Sequence, residues 1–82
     1  MADLRPDVTW QRRDGGPGFL FDGRSGAVFG LNATAETVLE AMAAGKEPAA
    51  LLAKRFDVTP QAAKRDAAAF LDLLKEYELV AD

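Results

Sequence analysis

The stretch Ala27 to Met42, AVFGLNATAETVLEAM, constrains the fold more than any other part of the chain. It reads as a short apolar strand that runs into an amphipathic helix with almost no linker. Ala27-Val28-Phe29-Gly30-Leu31 is a compact apolar run, bounded before it by the turn residues Arg24-Ser25-Gly26. Asn32 and Thr34 both suit a helix N-cap, since their side-chain oxygens can accept from free N–H groups of the first turn. Ala35, Val38, Leu39 and Met42 then recur at i, i+3, i+4 and i+7, which lays one apolar stripe along a helix from Ala33 to Ala44. Gly45 ends it. Segments before this stretch can pair with its strand, and segments after it can pack on its helix.

Upstream, Val8 to Arg13 alternates, with Val8, Trp10 and Arg12 on one face, and this predicts a first strand. Asp14-Gly15-Gly16-Pro17-Gly18 predicts a loop. Phe19-Leu20-Phe21 is the second strand, and Asp22 to Gly26 turns the chain into the third, Ala27 to Leu31. With a five-residue turn, Phe21 faces Ala27 and Phe19 faces Phe29. Phe19, Phe21, Ala27, Phe29 and Leu31 then form the core face, with Leu20, Val28 and Gly30 opposite. A slip of one residue would exchange the faces.

Downstream, Pro48 starts a second helix that runs to Phe56, with Leu51, Leu52 and Phe56 as its buried side. Thr59-Pro60 starts a third, which runs to about Tyr77. Its broad apolar stripe is Ala63, Ala67, Phe70, Leu71, Leu74 and Tyr77, and Leu79-Val80 folds back onto the core. The order is β-β-β-α-α-α. It defines an α+β domain in which a three-stranded antiparallel sheet buries its Phe-rich face against three helices. At 82 residues, the whole of 1–82 is expected to be one domain, with 1–7 a disordered polar terminus.

The chain has no Cys and no His. That excludes disulfides, thiol nucleophiles, His-based acid–base pairs and the usual zinc and iron–sulfur ligand sets. No catalytic residue, metal site or cofactor is therefore expected. Arg12-Arg13 reads as a solvated strand end and Trp10 as core or sheet cover. Asp22, Asp72, Glu76 and Glu78 read as surface carboxylates. Gly15-Gly16-Pro17-Gly18 lacks the Lys-Ser/Thr pair of a phosphate loop. A net charge of −3 argues against nucleic acid as a partner. No apolar run is long enough to span a bilayer, and no signal-peptide pattern opens the chain. No membrane partner is expected, and cytoplasm is the expected location.

The segment Phe29-Gly30-Leu31-Asn32-Ala33-Thr34-Ala35, followed by Val38-Leu39 and Met42, resembles the PqqD family, in which a strand ends in an LNxTA turn and an apolar helix. The resemblance continues through Leu51 to Val58, Phe70-Leu71, Leu74 and Leu79-Val80, and covers about residues 8–80. It departs before Phe19, where the first hairpin is shorter and less basic than the family pattern. The resemblance implies a winged-helix-like, non-catalytic peptide chaperone. Such a domain binds a ribosomally made precursor peptide and presents it to a modifying enzyme, a radical S-adenosylmethionine enzyme or another. It implies that the peptide adds as a strand beside the third strand, against the third helix.

The residues are compatible with that mode. The third strand, Ala27, Val28, Phe29, Gly30 and Leu31, carries no charge or Pro to blunt an open edge. Gly30 permits close approach of another backbone, or marks a bend before the helix. On the third helix, Lys64, Ala68, Leu71 and Lys75 form a small apolar flank bracketed by lysines. Ala62, Asp66, Ala69 and Leu73 form the other flank, and the sequence leaves open which one faces the strand. Two further readings remain: a winged-helix nucleic-acid binder, and a homodimer formed by pairing of the open edge with its own copy. Lys64, Arg65 and Lys75 favour the former, but Asp66, Asp72 and Glu76 largely cancel their charge.

Overall fold

The computed structural model describes residues 3–81. Eight elements follow in order: β1 (Asp3–Leu4), β2 (Val8–Arg13), β3 (Gly16–Asp22), β4 (Val28–Gly30), α1 (Ala33–Ala44), α2 (Pro48–Phe56), α3 (Pro60–Glu76) and β5 (Val80–Ala81). The three predicted strands are β2, β3 and β4, joined as an antiparallel sheet in that spatial order. The three helices follow, as expected for the α+β class.

The helices begin where their capping chemistry allows. Asn32 Oδ1 accepts from the Ala35 N–H at 2.8 Å, and Thr59 Oγ1 from the Ala62 N–H at 3.1 Å. Each satisfies a donor that the first turn leaves without a partner. Pro48 and Pro60 occupy first-turn positions, where a missing N–H costs nothing. Val38, Leu39 and Met42 of α1, Leu52 of α2 and Ala63, Ala67 and Leu74 of α3 meet in one core with Val8 and Leu20 from the sheet. Thr37 is buried among them; its hydroxyl donates to the Ala33 carbonyl and accepts from Arg55.

The register of β3 on β4 differs from the sequence expectation by one residue. Phe21 pairs with Val28, Leu20 with Phe29 and Phe19 with Gly30. The cause is the turn. Asp22 belongs to the ladder: its N–H donates to the Ala27 carbonyl at 2.9 Å, so only residues 23–26 form the loop. Leu20 therefore joins Trp10 and Phe29 on the core face and is 1% exposed, while Phe21 turns outward at 38%. Phe19 lies on the outer face with it.

Further corrections concern the ends and the surface. β3 begins at Gly16, inside the expected loop, because Asp14-Gly15 alone makes the turn between Arg13 and Gly16. Gly15 has φ 78°, a left-handed conformation that glycine adopts without the steric cost a Cβ would bring. Gly18 lies so close to β2 that an added Cβ would overlap the Gln11 carbonyl oxygen. Residues 1–7 were expected to be a disordered terminus; residues 1 and 2 lie outside the described residues, but Leu4 pairs with Val80 and Arg5 N–H donates to the Leu79 carbonyl. This holds the Leu79-Val80 segment over the core. Phe56 and Tyr77, expected to be buried, are exposed.

Asp22, expected at the surface, is buried. Its carboxylate accepts from the Arg24 N–H at 2.9 Å, Ser25 Oγ at 3.0 Å and the Arg5 guanidinium at 2.8 Å. The Arg24 backbone donor, with Ser25 and Arg5, holds its pKa below the ordinary carboxylate value of 3.8. The ionised form is thus favoured by the fold, so its contribution is complete above the unfolded value and is lost as pH falls through the folded one. Asp22→Asn is expected to lower the urea midpoint at pH 7 and to flatten its decline below pH 3.8. Urea melts of both proteins across that range check this.

Candidate functional site

β4 is an edge strand: among the described residues it pairs with β3 on one side and with no strand on the other. Two bonds fix which of its backbone groups are free. The Ala27 carbonyl accepts from Asp22, and the Leu31 N–H donates to the Gly18 carbonyl at 3.1 Å. Antiparallel pairing alternates, so the main chain of Ala27, Phe29 and Leu31 turns toward β3. The N–H and C=O of Val28 and Gly30 therefore point to the open edge. The β3–β4 pairing through Gly30 is regular, so Gly30 is not a bulge, and a Cβ there would meet nothing within 4 Å.

α3 runs beside this edge and leaves a groove of about 440 Å³. Phe29, Leu31, Phe70 and Leu74 form its floor, Gly30 one wall, and Ala69, Leu73 and Asp66 the other. Asn32 and Thr34, at the start of α1, line it as well. Leu73 is 41% exposed although apolar. Tyr77 packs on Phe29 with ring centroids 5.1 Å apart. The groove thus offers unpaired main-chain groups on one side and apolar side chains on the other. An extended chain with apolar anchors matches both.

The sequence-selected residues fall into two groups. Phe29, Gly30 and Leu31 line the groove. Val28 supplies edge backbone groups, but its side chain is on the outer face and 61% exposed; Ala27 is half-buried at the turn. Lys64, Ala68, Leu71 and Lys75 face away from β4, into a second hollow of about 420 Å³ shared with Met42, Glu47 and Pro48. The structure does not bring them together with the strand. The open choice between the flanks of α3 resolves geometrically to Asp66, Ala69 and Leu73. Tyr77, part of the apolar stripe in the sequence, instead lies exposed and packed on Phe29. The signal that could have separated it is the spacing Asp66, Leu73, Tyr77, a stripe beside the core positions Ala63, Ala67 and Leu74.

Among the described residues, no cluster of His, Cys, Asp or Glu could hold a metal ion, and no helix is long and apolar enough to cross a membrane. Arg12 is spent on Trp10 and Glu40: its guanidinium lies 4.5 Å from the indole centroid and bonds Glu40 at 2.9 Å. The Trp10 indole N–H donates to Glu36.

Residues 18–80 match the family model described as coenzyme PQQ synthesis protein D (PqqD). The chain belongs to the PqqD family. The match begins within β3, inside the first hairpin. No curated protein matches the sequence. Among solved structures, the chain is similar to "Lasso peptide synthetase B1 complexed with the leader peptide", at 33% identity over 99% of this chain and 98% of that one, with a TM-score of 0.85. "TbiB1 in Complex with the TbiA(beta) Leader Peptide" shares the fold, with 23% identity, 98% and 99% coverage and a TM-score of 0.84.

Proposed function

We propose that this chain is a non-catalytic recognition module that binds a ribosomally made precursor peptide by strand addition and presents it to a modifying enzyme. The observation that carries the reading is the open edge of β4 beside an apolar groove. Val28 and Gly30 offer two N–H and two C=O groups there, and β4 has neither charge nor Pro to discourage pairing. Each bond made contributes a net ~1 kcal/mol. Contact with Leu73 and Phe29 removes apolar surface from water at about 25 cal/mol per Å².

Support comes from PqqD family membership and from the 33% identical protein solved with a leader peptide. The enzyme served is a radical S-adenosylmethionine enzyme or another peptide-modifying enzyme, and the product is pyrroloquinoline quinone or a related peptide natural product. The chain makes and breaks no bonds itself, works in the cytoplasm, and needs no cofactor for this task.

The test is an NMR titration of isotope-labelled protein with a precursor peptide encoded beside it. Shifts at Val28–Leu31 and at Asp66, Ala69 and Leu73 are expected. Shifts confined to the Lys64, Leu71 and Lys75 side would move the site to the second hollow. Absence of shifts would overturn the reading. Sedimentation that finds a dimer, broken up by the peptide, would add self-pairing of the same edge as the resting state.

A further inference from the structure

Among the described residues, Asp66 carries the one charged side chain that lines the groove. It forms no ion pair among the described residues. Its neighbours one helical turn away, Ala62, Ala63, Ala69 and Phe70, are all uncharged. Arg65 and Lys64 point elsewhere by helical geometry, and Lys64 lines the second hollow instead. Glu36 is not in the groove, since its carboxylate binds Trp10. The start of α1 contributes at most about half a positive charge, and Asn32 already caps it. The groove therefore keeps a net negative end.

We infer that Asp66 makes the groove selective for a cationic residue in the bound peptide, a preference that rests on the strand-addition reading above. A Lys or Arg placed there gains a charge-assisted hydrogen bond, and an acidic residue is repelled. The position in the peptide follows from the same geometry. Asp66 and Leu73 lie seven residues apart on one face of α3, about 10 Å along the helix axis. An extended peptide advances about 3.3 Å per residue, and alternate side chains share a face. The cation therefore sits two or four positions from the apolar residue that meets Leu73.

The test uses a phage library of random linear peptides selected on the full chain, on Asp66→Asn and on Asp66→Lys. Asp66 is exposed and lies within a helix, so both variants are expected to fold, which circular dichroism checks. The wild-type chain should select peptides with an apolar anchor and a Lys or Arg two or four positions away. Asp66→Asn should lose the cationic preference and keep the anchor. Asp66→Lys should select Asp or Glu at that position, and should bind the wild-type-selected peptide about tenfold more weakly. Raising the salt concentration should shrink that difference. If all three proteins select the same anchored peptides with no charged position, the inference is wrong and the groove reading stands. If none selects peptides, or binding does not involve β4, both fail.

Discussion

Gly30→Pro is expected to weaken precursor-peptide binding about ten- to hundredfold while leaving the fold in place. Pro is tolerated in an edge strand when its missing N–H would have faced outward. Gly30 meets that condition, because the pairing parity set by Ala27 and Leu31 turns its N–H to the open side. Its φ is not positive, and a Cβ there meets nothing within 4 Å. The preceding Phe29 is already extended, as a residue before Pro must be. The bound peptide, however, would lose one main-chain donor and leave a carbonyl without a partner, at a cost of about 1–3 kcal/mol. Tenfold in affinity corresponds to about 1.4 kcal/mol. Gly30→Ala keeps the N–H and should bind nearly as the wild type does. Calorimetric titration measures the affinities, and thermal melts confirm the fold. If Gly30→Pro folds and binds unchanged, main-chain pairing at β4 is not the mode of binding.

Leu20→Ala and Phe21→Ala form the second pair. Leu20 is 1% exposed and touches the core from the middle strand, so its truncation should cost about 2–5 kcal/mol. A domain of this length is stabilised by roughly 4–12 kcal/mol in all, so Leu20→Ala should be severely weakened. Phe21, at 38% exposure on the outer face, should cost about 1 kcal/mol or less despite its larger ring. Urea unfolding of both variants measures the order. The reverse order would mean that the Phe-rich face is the buried one.

That pair also marks where the sequence stops being readable. The helices are legible because each carries local punctuation: Asn32 and Gly45 bound α1, Pro48 opens α2, and Thr59-Pro60 opens α3. β2 is legible from its alternation. The β3–β4 register is not, because Phe19-Leu20-Phe21 is apolar at every position and supports either face. The decision falls to Asp22, whose three hydrogen bonds shorten the loop by one residue. Those bonds join Arg5, Arg24 and Ser25, and the Arg5 contact crosses 17 positions, which no local pattern reveals. The structured N-terminal segment escaped for the same reason, since Leu4 is ordered by Val80 at the other end of the chain.

The candidate site divides in the same way. The edge strand was visible as an apolar run without protection. Both flanks of α3 were visible as stripes beside Ala63, Ala67 and Leu74. Which flank meets β4 depends on how α1 and α2 hold α3 against the sheet, and that is a property of the packing. The lysine flank turned to Met42 and Pro48, and the Leu73 flank to Phe29 and Gly30.

The most direct measurement is amide hydrogen exchange at Val28 and Gly30, followed by NMR with and without the precursor peptide. In the free protein these two amides should exchange faster than those of Phe29 and Leu31, which bond to β3. With peptide bound, Val28 and Gly30 should become protected to a similar degree. Saturation with peptide that leaves Val28 and Gly30 exchanging at their free rates would contradict strand addition at β4.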